Sequence, residues 1–149
     1  MAVRLFEREQ LLPVERGRAF EIFSEPSNLE PLTPPRLRFR IISAPERIAA
    51  GSELSYQLRL HGVPVRWLTQ IALWDPPDRF VDVQVRGPFA LWEHTHSFED
   101  RGDQTLMRDV IRYRSRFGPF GEVANALFVA RDLTRIFDYR REALSELLG

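Results

Sequence analysis

Cysteine and lysine are both missing from this chain of 149 residues. Without a thiol there is no disulfide, no thiolate nucleophile and no cysteine metal site, and without lysine there is no Schiff-base chemistry. All 21 basic residues are arginine, balanced by 21 acidic ones. An arginine-only complement fits a GC-rich genome, and arginine is also the stronger surface ion-pairing residue. A formal charge of zero supplies no global field to draw in nucleic acid or anionic membrane, so no nucleic-acid partner is expected. Nor is there a run approaching the roughly 18 apolar residues that span a bilayer. The opening MAVRLFEREQ lacks the long apolar stretch of a signal peptide. The expectation is a cytoplasmic protein without integral membrane association.

What is present is a globular composition, 44% apolar, 28% charged and 11% aromatic, over a length that suits one domain, residues 1–149, with a single core. Val3 to Leu12 reads as a strand ended by Pro13. In VERGRAFEIFS, Val14, Ala19, Phe20 and Phe23 fall on one side of a short helix that Pro26 ends. Ser27 is placed to cap a second short turn, SNLEPL. Two small helices in tandem are therefore expected after the first strand.

Alternating segments bounded by Gly or Pro follow. In RLRFRII, Leu37, Phe39 and Ile41 alternate with Arg36, Arg38 and Arg40, the period of a half-buried strand with a solvated arginine face. ELSYQLRL turns Leu54, Tyr56, Leu58 and Leu60 inward and ends in a His61-Gly62 hairpin. Val65, Trp67, Thr69, Ile71 and Leu73 form the next row. For RFVDVQVRG, periodicity favours burial of Val81, Val83 and Val85. The alternative buries Phe80, Asp82 and Gln84, which makes sense only against a partly polar cavity, and both readings stay open.

Two further strands, about Ala90 to Glu99 and Gln104 to Arg116, flank a turn at Asp100 to Asp103. FGPFG then reads as a hinge or turn. From Glu122 to Leu148 there is neither Gly nor Pro, and the composition predicts one helix about 40 Å long. Its apolar stripe comprises Val123, Leu127, Ala130, Leu133, Phe137, Leu144 and Leu147 or Leu148. The class is α+β, with consecutive hairpins curling about a long terminal helix. A sheet of that size cannot be filled by one helix, so a cavity between them is expected.

Three segments carry a family resemblance: PVERGRAFEIFSEPSNLEPLTPP at Pro13 to Pro35, GPFALWEHTHSFE at Gly87 to Glu99, and LTRIFDYRREAL at Leu133 to Leu144. With the element order, they resemble the START-like or birch-pollen-allergen superfamily, also called SRPBCC. The likeness is greatest to small bacterial ligand-binding members often labelled polyketide cyclase or dehydrase. It implies a helix-grip fold, with a curved antiparallel sheet of about six or seven strands around the C-terminal helix. It also implies an apolar or amphipathic ligand held under that helix.

The three histidines are His61, His94 and His96, and the last two lie in Trp92-x-His94-x-His96-x-Phe98. On a strand these four residues share one face. With Arg101 and Gly102 as the central turn residues, Asp100 faces Asp103. Phe98 then faces Thr105, His96 faces Met107, His94 faces Asp109, and Trp92 faces Ile111. A His94–Asp109 contact follows, and a slip of one residue would abolish it. No metal is expected, because neighbouring strand side chains project nearly parallel and no second carboxylate is evident. No cofactor is expected either.

The catalytic candidates are His94, His96 and Asp109, as an imidazole acid or base with an orienting carboxylate. The alternative is a hydrogen-bonded polar patch within an apolar pocket. Trp67, Trp92, His94, His96, Asp109, Tyr113, Leu127 and Phe137 compose the expected ligand-binding set, an apolar wall with a few placed polar groups. For the tryptophans and Phe137, core packing without ligand contact is the alternative. The expected function is binding or carriage of a small hydrophobic or amphipathic ligand, such as a lipid, an isoprenoid including quinones, or a polyketide-like molecule. A cyclase or dehydratase using His94 or His96 with Asp109 is the competing reading.

Overall fold

A computed structural model of the chain describes residues 3–124 and 128–148. Strand β1 (Arg4–Leu12) leads into helix α1 (Arg16–Ser24), and two 3₁₀ turns follow at Pro26–Asn28 and Pro35–Leu37. Six strands come next: β2 (Arg40–Ser43), β3 (Glu53–Leu60), β4 (Val63–Asp75), β5 (Arg79–Arg86), β6 (Phe89–Arg101) and β7 (Gln104–Ser115). Helices α2 (Gly118–Ala124) and α3 (Ala130–Leu148) complete the order. The seven strands form one antiparallel sheet in the order β1-β7-β6-β5-β4-β3-β2. All strands after the first join by consecutive connection, and β1 closes onto the last.

Helix α1 starts where the Glu15 carboxylate accepts the Arg18 backbone N–H at 2.8 Å, satisfying one of the donors a helix N-terminus leaves open. Its Ala19, Phe20, Ile22 and Phe23 are buried. The turn after it begins at Pro26, with no side-chain cap, so Ser27 does not have the capping place expected of it. Thr105, fully buried on β7, donates its hydroxyl to the Val14 carbonyl at 2.9 Å and ties the strand to the helix entry. Thr105→Val is expected to destabilise the protein by about 1–2 kcal/mol, because it strands that carbonyl; urea unfolding measures the loss.

Several boundaries differ from expectation for identifiable reasons. Arg36 to Phe39 is not strand: Pro35–Leu37 takes a 3₁₀ turn, Arg38 has φ 47°, and pairing starts only at Arg40. In β4 an extra residue between Ile71 and Leu73 makes a bulge against β5, which reverses the alternation. Leu73 is consequently 37% exposed, and Trp74 instead packs against the core. The FGPFG segment is not merely a turn, because its Gly118 already begins α2. The C-terminal helix that reaches the core is the 19-residue α3, about 28 Å long by its rise per residue. Val123 is exposed and lies outside the buried stripe.

Helix α3 buries Leu133, Phe137 and Leu144, positions that share one helical face. It is fastened to edge strand β1 by polar contacts. Arg8 pairs with Asp138 at 2.8 Å, Gln10 donates to the Arg141 carbonyl at 3.0 Å, and Arg141 donates to the Glu9 carbonyl at 2.8 Å. The main core lies toward α1, where Phe20 and Phe23 meet Phe80 and Phe98 edge-on or tilted. A second cluster of Ile111, Tyr113, Leu133 and Phe137 sits under the first half of α3. Between these clusters the sheet and helix do not close. Among the described residues, no helix is long and apolar enough to cross a membrane.

Candidate functional site

The unfilled space is a cavity of about 280 Å³ between the sheet and α3. Leu54, Leu58 and Ile71 line it from the sheet, Phe23, Leu29 and Leu32 from the short helices and their turn, and Leu133, Ile136 and Phe137 from α3. Trp67 and Trp92 meet edge-on at 5.0 Å in its wall. The Tyr56 hydroxyl, 3.1 Å from the Thr69 hydroxyl, is driven up in pKa by burial and then by the Asp82 charge.

Charged groups are concentrated in one patch. β5 turns Phe80 and Asp82 inward, directly opposite His96 and His94. This resolves the open face of Phe80 to Arg86: Phe80 is buried, while Val85 is 47% exposed. Burying the Phe80 face places Asp82 against a partly polar cavity, the condition under which that alternative made sense.

The β6–β7 hairpin turns on Gly102 and Asp103, with Arg101 paired to Gln104. Gly102, at φ 75°, occupies the first central position, where a two-residue hairpin of this kind requires glycine. The register therefore differs from the expected one by two residues: His96 faces Asp109, His94 faces Ile111, and Trp92 faces Tyr113. A two-residue shift leaves every side chain on its own face. The His94–Asp109 contact consequently survives as a diagonal, with His94 Nε2–H donating to Asp109 Oδ1 at 2.7 Å.

His96 Nε2–H donates to Asp82 Oδ2 at 2.7 Å. The two imidazoles stack at 3.6 Å, and Phe80 stacks on the outer face of His96 at 4.0 Å. His96 Nδ1 lies 3.3 Å from Asp109 Oδ1, but the approach is misdirected and this buried nitrogen has no hydrogen-bond partner. Asp109 is 1% exposed, and its second oxygen accepts a hydrogen bond from Arg140 of α3. The Arg140 guanidinium also lies over the Phe137 ring at 4.3 Å, a favourable cation–π position.

These contacts separate the two imidazoles electrostatically. Burial, aided by the neighbouring His96, pushes the His94 pKa down, outweighing its bond to Asp109. Burial also opposes protonation of His96, yet the Asp109 and Asp82 carboxylates outweigh it and raise its pKa. Asp109 is buried too, which favours its neutral form, but Arg140 and the two histidines hold it well below the ordinary carboxylate value. The arrangement places an imidazole whose protonation is disfavoured by burial next to one whose protonation is favoured by two carboxylates.

Of the residues expected to bind a ligand, Trp67, Trp92, His94, His96 and Phe137 line the cavity. Asp109 and Tyr113 stand behind that lining, and Leu127 lies outside the described residues. Two participants escaped the sequence reading. Asp82 was visible only in the less favoured phase of β5. Arg140 occupies the same helical face as Leu133, Phe137 and Leu144, and a charge within such a stripe is the signal that identifies it. Asp82 also corrects the expectation that no second carboxylate stands near the histidines: one of its oxygens and one nitrogen of each of His94 and His96 all lie within 4.8 Å of one another. His61 is elsewhere, 2.8 Å from Asp132 at the start of α3.

No protein-family model matches the chain, and no curated protein matches its sequence. Solved structures do. The Zhui aromatase/cyclase from Streptomyces sp. R1128 superposes with a TM-score of 0.79 at 11% identity, over 99% of this chain and 94% of that one. A START superfamily protein from Mycobacterium smegmatis gives 0.73 at 15%, over 97% and 99%. A norcoclaurine synthase from Thalictrum gives 0.70 at 15%, over 99% and 94%. At such identities the likeness is one of fold.

Proposed function

We propose that this chain, which has the START-like helix-grip fold, binds and carries a small hydrophobic or amphipathic molecule between its sheet and α3. The observation that supports this reading is the cavity, whose lining is mostly apolar, with hydroxyls at Thr33, Tyr56 and Thr69 and titratable or charged groups at Asp82, His94, His96, Asp132 and Arg140. Small-molecule sites combine apolar enclosure with a few placed polar groups, and at about 280 Å³ this one falls just below their usual range of roughly 300–1,000 Å³. That size suits a ring system or a short isoprenoid better than a two-chain lipid. The named neighbours include both a START superfamily protein and a cyclase, so the fold alone does not choose between carriage and catalysis.

Native mass spectrometry of protein purified from its own host, followed by extraction, tests the proposal. The expected result is one defined apolar guest per chain, whose return to the emptied protein changes the fluorescence of Trp67 and Trp92. Ile136→Trp, which fills the space from α3, is expected to weaken rebinding at least 10-fold. Undiminished rebinding by that variant, with its fold intact by circular dichroism, would place the guest elsewhere.

One observation supports a second reading, a cyclase or dehydratase. His94 is fixed at Nε2 by Asp109 and kept neutral by burial, while its Nδ1 is 3.9 Å from the nearest Asp82 oxygen, too far for a hydrogen bond. A neutral imidazole oriented by a carboxylate suits a general base. Under this reading a polyketide-like probe is converted by the native protein and only bound by His94→Gln. Release of the probe unchanged by the native protein favours carriage.

A further inference from the structure

We infer that Asp82, His94 and His96 form a site for one divalent transition-metal ion of the zinc type, with an open coordination position toward the cavity. Each histidine has an inner and an outer nitrogen with respect to Asp82. The inner ones, His96 Nε2 and His94 Nδ1, lie 2.7 and 3.9 Å from the same Asp82 oxygen. Ligands at about 2.1 Å from a tetrahedral ion stand about 3.4 Å from one another, so one edge must open and the other close by roughly half an ångström or more.

The outer nitrogens converge on a different carboxylate. His94 Nε2 and His96 Nδ1 lie 2.7 and 3.3 Å from the same Asp109 oxygen. Metal-bound histidines characteristically donate their second N–H to a carboxylate, which fixes the tautomer. Here one buried carboxylate, itself held by Arg140, is placed to serve both rings. The arrangement also explains the partnerless His96 Nδ1. With the proton on Nε2, that nitrogen has no partner; with an ion on Nε2, Nδ1 would carry the proton, 3.3 Å from Asp109 Oδ1, and a turn of the ring would be needed to aim it there.

The donor set of two imidazoles and one carboxylate suits zinc, iron(II), cobalt or nickel better than magnesium or calcium. All three ligands line the cavity, so a guest or a water can occupy the remaining position.

Cobalt(II) titration of untagged, chelator-treated protein at neutral pH tests the site without any guest. The expected result is one equivalent per chain, with the intense visible bands of a four- or five-coordinate ion, displaced by zinc. Asp82→Asn and His96→Gln are expected to lose the bands, His61→Gln to keep them, and Asp109→Asn to weaken binding about 10- to 100-fold through its support of both rings. Should Asp82→Asn or His96→Gln fail to fold, the wild-type titration with His61→Gln still decides the matter. Absence of tight uptake by folded wild-type protein overturns the assignment. So does uptake that follows His61 rather than Asp82 and His96.

Discussion

Arg140→Met is expected to cost about 3–5 kcal/mol of stability at neutral pH in chelator-treated protein, because it leaves the Asp109 carboxylate buried without its guanidinium partner. Both members are largely removed from water, with side-chain exposures of 11% for Arg140 and 2% for Asp109, so solvent screening does little to soften the loss. Methionine keeps an unbranched apolar stem but loses the guanidinium that lies over Phe137 and Phe23, so the loss includes those cation–π contacts. Adding Asp109→Asn to the same chain removes the stranded charge and is expected to return most of the loss. If the pair contributed only through packing, the double variant would be at least as unstable as the single one.

The pH dependence of this deficit separates charge from packing. In the native protein burial favours neutral Asp109, but Arg140 and the two histidines hold its pKa well below the unfolded value. Its stabilising contribution is therefore fully present above an unfolded pKa of about 3.9, and is lost as pH falls through the lower folded value. In Arg140→Met the opposing influence of burial gains ground and the folded pKa rises. The variant then escapes its penalty by taking up a proton in acid. Urea unfolding at pH 7 and pH 4.5 should show a wide gap between native protein and variant that narrows in acid, and a gap constant across that range would contradict the assignment of charge to this pair.

How far the sequence revealed this site depends on parity. Side chains on a strand have a period of two, so the expected face of Trp92, His94, His96 and Phe98 was insensitive to a two-residue error in the hairpin register. The His94–Asp109 contact was legible for that reason, although the residue directly opposite Asp109 is His96. Parity also explains the failures. The bulge between Ile71 and Leu73 inserts one residue, exchanges the faces beyond it, and leaves no mark in the local alternation of apolar residues. Arg36 to Phe39 alternates as a strand does, but the preceding prolines and the left-handed Arg38 turn it into a 3₁₀ turn instead.

The helical component was read with the same mixture. Leu133, Phe137 and Leu144 form a stripe that helical periodicity makes legible, whereas Arg140, on the same face, carries a charge of the kind that ordinarily marks a solvated position. A long arginine can follow an apolar face and end on a buried carboxylate, and the partner lies on β7, 31 residues away. Nothing local in α3 announces that partner. The polar patch was therefore half legible: its histidines and one carboxylate on β6 and β7 could be read from a single hairpin, while Asp82 and Arg140 required the sheet order and the seat of the helix.

The β5 strand gives the second large effect, and it runs against the apparent hydrophobic pattern. Phe80→Ala is expected to destabilise the protein by about 3–5 kcal/mol, the usual cost of deleting a buried phenylalanine. Phe80 is only 4% exposed and meets Phe20, Trp74 and His96 at ring separations of 5.7, 5.3 and 4.0 Å. Val85→Ala on the same strand is expected to change stability by no more than about 0.5 kcal/mol, since it faces outward. The valine row would reverse that order if it were the buried one, so unfolding of the two variants distinguishes the faces directly. The lost ring would also enlarge the cavity, because Phe80 belongs to its lining, and would free one face of His96. Phe80→Ala should accordingly bind its guest with altered size preference while retaining the Asp82–His96 hydrogen bond, whose imidazole N–H signal by NMR reports whether the polar patch persists without its aromatic cover.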